Sequence, residues 1–195
     1  MNTYYPSCDQ EILDPKHGMD PVVTLLTENL PRGSSIFDLG AGHGRNSIPL
    51  AKLGHQVYAQ DLSVTNIRTQ SLLEGLGIIT LEGDIVEYNF NEIYDAFVCM
   101  RVLHFLEFSK ARGIIQKMQN HTKPGGFHAL TFFTNESDPI VSPVSKDWYF
   151  PDVQEMQDLY QKWNILSSSE PKIHEPSEST RGRKMVSVSY LFQKI

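Results

Sequence analysis

The sequence predicts an α/β fold in which a mostly parallel sheet is covered by helices on both faces. Two observations carry this expectation. Short apolar runs recur between residues 34 and 133 and alternate with stretches of helical pattern, which is how successive βαβ units read. Several of the runs are near-continuous in apolar residues, as strands buried on both faces are.

The elements follow in order. Strands are expected at "SSIFDLG" (34–40), "QVYAQDL" (56–62), "IITLEGD" (78–84), "DAFVCMR" (95–101) and "FHALTFF" (127–133), with helices over 44–53, 63–75 and 110–121. "KPGG" (123–126) reads as a turn directly before the fifth strand. After Phe133 a Pro- and Ser-rich loop leads to a helix over 151–163, with Pro151 in its first turn. "KMVSVSYLFQK" (184–194) alternates as a strand, "WNILSSSEPKIH" supplies its hairpin partner, and "EPSEST" is a polar loop tip. No internal repeat is present. The chain reads as one domain, with residues 1–20 as a flap too short to form a core of its own.

Bulk properties exclude several function classes. The 195 residues suffice for one buried core, and a net charge of −6 argues against a general nucleic-acid or anionic-membrane surface. Cys8 and Cys99 do not form a disulfide framework; Cys99 sits in an apolar run as a small core hydrophobe, and a reducing cytoplasm fits this usage. The first twenty residues lack the basic and apolar regions of a signal peptide, and no run approaches the ~18 apolar residues of a membrane span.

"FDLGAGHGRNS" (37–47) is the loop with chemistry in it. Gly40-Ala41-Gly42-His43-Gly44 is one residue short of the dinucleotide fingerprint, and no Gly-Lys-Ser/Thr follows for a phosphate loop. Asp38, placed at the loop's leading edge, would repel a pyrophosphate and favour a cation. Asp61, ending the second strand, suits a ribose diol, and Asp84 suits an exocyclic amine. S-adenosylmethionine (SAM) combines a cationic centre, a ribose diol and such a base. Against this, the glycines could serve a tight turn alone, Asp61 could be a polar strand end, and Asp84 a cap or turn residue.

Arg45 stands in the first turn of a helix, where a cation opposes the dipole, so it is expected to pair with Asp38 or with a ligand carboxylate, or else to be solvated. Arg101, Val102 and His104 follow the fourth strand beside the expected switch point and are candidates for the ligand wall, while Leu103, Phe105 and Leu106 read as core. His128, inside an apolar strand, reads as structural. His17, His55 and His121 carry no functional pattern, and no spacing suggests a metal site.

"FDLGAGHGR", "DLS", "GD" and "KPGG" at these spacings resemble the class I SAM-dependent methyltransferases. That resemblance implies a Rossmann-like sandwich: a seven-stranded, mostly parallel sheet whose last strand is antiparallel, with SAM above the carboxyl ends of the strands. "LGAGHGRNSIPLAKLGHQVYAQDLS", "MQNHTKPGGF" and "FPDVQEMQDLYQKW" are similar more narrowly to the TehB-like tellurite-resistance methyltransferases. The implied cofactor set is Asp38, Gly40, Ala41, Gly42, Arg45, Asn46, Asp61, Leu62, Asp84, Ile85, Arg101 and Val102.

The same family carries a His followed by Arg residues near its C-terminus that handle the acceptor. Here "IHEPSESTRGRK" offers His174, Arg181, Arg183 and Lys184, and Glu175 stands where the family pattern has Arg. Residues 134–183 are thus the expected acceptor side. Tyr4, Tyr5 and the Trp148-Tyr149-Phe150 cluster either close over the site as a flap or cover the core edge. The expected partner is a small methyl acceptor, a tellurite- or selenite-type oxyanion or a small thiol. Rival readings are an NAD-dependent oxidoreductase and a SAM-binding regulator without chemistry.

Overall fold

The structure is a computed structural model that describes residues 18–138, 149–177, 180 and 182–195. Helix α1 (Pro21–Asn29) leads into β1 (Ser35–Leu39), α2 (Ser47–Lys52), β2 (Gln56–Asp61), α3 (Thr65–Glu74), β3 (Ile79–Glu82) and β4 (Tyr94–Met100). A 3-10 turn (Leu103–Phe105), α4 (Phe108–Asn120), β5 (Thr122–Phe133), α5 (Val153–Leu159), β6 (Trp163–Ser168), β7 (Lys172–His174) and β8 (Met185–Lys194) complete it.

The strands form one sheet in the order β3-β2-β1-β4-β5-β8-β6, with β7 also paired to β8. Strands β1 to β5 pair in parallel, and β8 runs antiparallel to β5, β6 and β7. The expected antiparallel last strand is present, and the three-residue β7 is additional to the expected seven. The order reverses between β1 and β4, so a crevice opens above their carboxyl ends.

Alternation along each strand assigns side chains to two different cores. Ile36, Val57, Ala59, Ala96 and Val98 pack with Val23 and Leu26 of α1 and with Ile48, Leu50 and Ile67 of α2 and α3. The opposite face is aromatic: Phe37, Tyr58, Tyr94 and Phe97 meet Phe90, with Ile114, Ile115 and Met118 of α4 and Met156 of α5. Phe37 and Phe90 meet edge-on at 4.8 Å, as do Phe90 and Phe97 at 5.2 Å, a favoured arrangement of ring quadrupoles. Removing one such ring costs about 3–5 kcal/mol.

Several boundaries differ from expectation for local reasons. Helix α1 is an addition: Pro21 opens it, and Val22, Val23 and Leu26 bury one stripe. Helix α2 starts only at Ser47, because Gly44 (φ 87°) keeps the preceding loop left-handed. "KPGG" does not precede β5 but lies inside it. Tyr94 pairs with Thr122 and Ala96 with Phe127, so residues 123–126 bulge opposite Asp95, whose carboxylate Lys123 clasps at 2.7 Å. Pro151 is outside α5, since Asp152 is the N-cap and accepts from the Glu155 amide at 2.6 Å. Cys99 is wholly buried, and desolvation pushes its thiol up to about 12. Among the described residues no helix is long and apolar enough to cross a membrane.

Candidate active site

The three loop glycines have three different reasons to be glycine. At Gly40 (φ 66°) a Cβ would lie 2.3 Å from Val102 Cγ2, so the β1 and β4 loops touch there. At Gly44 it would lie 2.7 Å from Ile48 Cδ1. At Gly42 (φ 56°) a Cβ would meet nothing within 4 Å, so the backbone there is bare and exposed. Ala41 is buried, and its amide donates to the Gln60 carbonyl, fastening the loop to β2.

Carboxylates stand at the tips of the next two strands. Asp61 Oδ2 accepts from the Gly42 amide at 2.8 Å, which ties the end of β2 to the open glycine. Asp84, exposed beyond β3, accepts from the Val86 amide through Oδ1 at 2.9 Å, so it does serve a turn. Leu62 is half exposed, while Ile85 is buried in the aromatic core.

Asp38 is not at the ligand-facing edge. It shares the Ile36 face of β1, turned toward α2, and is 2% exposed, with the Ser47 hydroxyl donating to Oδ2 at 2.5 Å. Burial raises its carboxyl to about 7; Ser47 opposes that shift, and Asp61 and Asp20 add to it. Asp38 therefore braces the loop from beneath. Both faces of a parallel sheet are covered, so a polar strand residue near its middle is buried whichever way it points.

Arg45 does not pair with Asp38. Its Nε donates to the Gly18 carbonyl at 3.1 Å, and Nη2 is 3.8 Å from Asp20 Oδ1. Asn46 is buried and exchanges hydrogen bonds with Asp20, accepting from its amide at 3.0 Å. Asp20 thus organises the loop's far side, a role that sequence reasoning misses. An Asp-Pro pair at a helix start signals a cap, but its contacts lie more than twenty residues away.

The β4 loop presents side chains. Arg101 is in the left-handed region (φ 58°), alone in this among the described non-glycine residues, a conformation costing about 1–2 kcal/mol. Its amide keeps a 2.7 Å bond to the Thr131 carbonyl, and Nη1 is 3.6 Å from Asp20 Oδ1. Val102 closes on Gly40, and Leu103 and Leu106 enter the core as expected. His104 is buried rather than lining a wall, its ring 4.8 Å from that of Phe133 and 6.2 Å from that of Phe150. Desolvation, with the charge of Arg101, holds it down at about 3.

His174 comes to this same end of the sheet. Nε2 is 2.8 Å from Ser187 Oγ, and its ring stands edge-on to Phe133 at 5.8 Å. Burial lowers its pKa, aided by Lys172 and Arg101, so the ring is neutral at pH 7. Glu175 is exposed. Arg183 is half-buried and its amide donates to Thr180, while Lys184 bonds Asp138 through backbone. Arg181, Tyr4, Tyr5 and Trp148 lie outside the described residues. Tyr149 is buried, with its hydroxyl donating to Glu155 at 2.8 Å, and so covers the core edge. His128 is structural as expected, wholly buried between Tyr160 and Thr122, with 2.7 Å contacts to each. Among the described residues no cluster of three or more His, Cys, Asp or Glu could hold a metal ion.

A 3-2-1-4-5 parallel order, an antiparallel strand inserted beyond β5 and a glycine loop at the switch point define the class I SAM-dependent methyltransferase fold. The crystal structure of TehB from Haemophilus influenzae has this architecture, with a TM-score of 0.76 at 27% identity over 89% of this chain and 61% of that one. Burkholderia thailandensis 1,6-didemethyltoxoflavin-N1-methyltransferase, with bound 1,6-didemethyltoxoflavin and S-adenosylhomocysteine, shares the fold at a TM-score of 0.72 and 15% identity, covering 94% of this chain and 81% of its own. The chain belongs to the TehB family: the profile described as "Tellurite resistance protein TehB" matches residues 22–188. The probable S-adenosyl-L-methionine-dependent methyltransferase TehB of Haemophilus influenzae (strain 10810) is 31% identical over 164 residues, 82% of this chain. The match covers 57% of that relative, so the chain spans little more than half its length.

Proposed function

We propose that this chain folds as one domain of a cytoplasmic enzyme that moves the methyl group of SAM to a small acceptor, a tellurite- or selenite-type oxyanion or a small thiol. The observation that carries this reading is Asp61 bonded to the Gly42 amide at the switch point. It sets a carboxylate beside open backbone with a further acid, Asp84, one strand over.

The donor set fits SAM. Among the described residues Asp61 Oδ1 has only a long 3.4 Å contact, to the Ser63 amide, which leaves it to accept from ribose hydroxyls. Asp84 uses Oδ1 internally and retains Oδ2 for an exocyclic amine. Bound SAM supplies an electrophilic methyl on a sulfonium with a good leaving group. The chain's own task is then positioning and water exclusion. The Gly40–Val102 contact closes the β1 loop against the β4 loop at the switch point, and the Phe133 and Phe150 rings pack beside buried His104. Neutral His174, oriented by Ser187, can accept a proton from a thiol or orient an anion.

Isothermal titration with SAM and with S-adenosylhomocysteine tests this reading. Micromolar binding of both, and none of NADH, is expected. Absence of both at high micromolar ligand would refute it, and NADH binding in their place would favour the oxidoreductase reading.

A further inference from the structure

We propose that Arg101 is the cation that binds the acceptor at this site. The proposal rests on the methyl-transfer reading above and deepens its acceptor side.

Position is the first support. Arg101 is the residue directly after β4, at the strand-order reversal, and its neighbour Val102 rests on Gly40 of the opposing loop. A group held there stands beside whatever the glycine loop binds.

The second support is the backbone. Arg101 adopts a left-handed conformation that glycine would take without cost, yet the chain keeps a long cationic side chain there. Its amide stays bonded to Thr131, so the sheet is intact up to that residue and the turn begins at Arg101 itself.

Charge is the third. The single carboxylate of Asp20 faces two guanidiniums, at 3.8 Å from Arg45 and 3.6 Å from Arg101. Arg45 has a second anchor in the Gly18 carbonyl. Arg101 has no other ion pair among the described residues, and its side chain is 30% exposed. Arg101 is thus the guanidinium with the single tether, beside a crevice whose other charged groups, Asp61 and Asp84, are carboxylates.

Surroundings are the fourth. Phe133 links the rings of His104 and His174, and both histidines feel the Arg101 charge and stay neutral. A cation bordered by neutral rings suits a polarisable anion and disfavours an amine. Glu175 adds an anion in the hairpin where the family pattern has arginine. The counter-charge for the acceptor comes from β4 instead.

The test measures anion binding to the protein already loaded with S-adenosylhomocysteine, by isothermal titration with hydrosulfide and, separately, tellurite. Arg101→Gln should weaken binding of the anion by about tenfold to a hundredfold, the weight of one charge-assisted hydrogen bond, and Arg101→Lys should restore most of it. S-adenosylhomocysteine affinity should stay within about twofold in both variants. Asp20→Asn releases Arg101 from its internal partner and should tighten anion binding several-fold. Unchanged anion affinity in Arg101→Gln, or weaker binding in Asp20→Asn, overturns the assignment. So does loss of S-adenosylhomocysteine affinity in Arg101→Gln, which would place the arginine with the cofactor, and so does an absence of anion binding by the loaded wild type. Failure of the wild type to bind S-adenosylhomocysteine at all would refute the methyltransferase reading itself.

Discussion

The two walls of the crevice solve the same geometric problem in opposite ways. After β1 the chain turns through left-handed conformations at Gly40, Gly42 and Gly44, and at Gly42 it offers only backbone. After β4 it makes a left-handed turn at Arg101 and keeps a guanidinium. Glycine takes that conformation freely, whereas arginine does so at a cost. A wall that must admit a ligand closely uses the first device. A wall that must deliver charge accepts the strain of the second.

Gly40→Val breaks the first wall most severely. The new side chain meets Val102 and a disfavoured φ together, and SAM affinity by titration should fall more than about a hundredfold. Adding Val102→Ala should recover part of the loss, and a double variant no better than the single would separate the two loops. Asp61→Ala removes the Gly42 anchor and, with it, the carboxylate proposed to hold the ribose; about a tenfold to hundredfold loss of SAM affinity is expected by the same measurement. His174→Ala probes the second wall: turnover should fall about tenfold with SAM affinity nearly unchanged, and equal loss of both would put His174 on the donor side.

Beneath the first wall, Asp38 gives a pH signature. Its folded pKa of about 7 stands above the ordinary 3.8. The folded form therefore keeps a proton that the unfolded form releases, and stability falls as pH rises between those values, by at most ~1.4 kcal/mol per pH unit. Urea denaturation from pH 4 to pH 7 should show a flatter slope in Asp38→Asn. The smallest effect sharpens the comparison itself. Arg101→Gly should exceed Arg101→Ala in stability by about 1 kcal/mol, the reverse of the usual order, because only the left-handed backbone distinguishes them.

The frame of the glycine loop is largely legible in the residues themselves. Near-continuous apolar strands separated by helical pattern yield the parallel sheet, and the glycine spacing yields the loop. Asp38 is easily placed too far out because it adjoins a loop in sequence, although its shared face with Ile36 puts it toward α2. Asp152 and Glu155 have the spacing of a helix cap, which is why Pro151 stays outside α5. The Asp20 contacts are illegible for a different reason. Its ion pairs with Arg45 and Arg101 join segments far apart in the chain, and no local period encodes them. The three residues of β7 are too few to show alternation.

β8 is the last strand in the chain, yet it lies within the sheet and is the partner through which β6 and β7 join it. During synthesis β1 to β5 can pair while residues 185–194 are still inside the ribosome. β7, with His174 at its end, pairs only with β8 among the described residues and so has no strand partner until Ser187 and its neighbours emerge. The long-range pairing of β8 is the slow kind. The crevice is therefore assembled in two instalments, the glycine-loop half early and the His174 edge with residues 185–194. A chain interrupted before residue 185 would keep the first and lack the second.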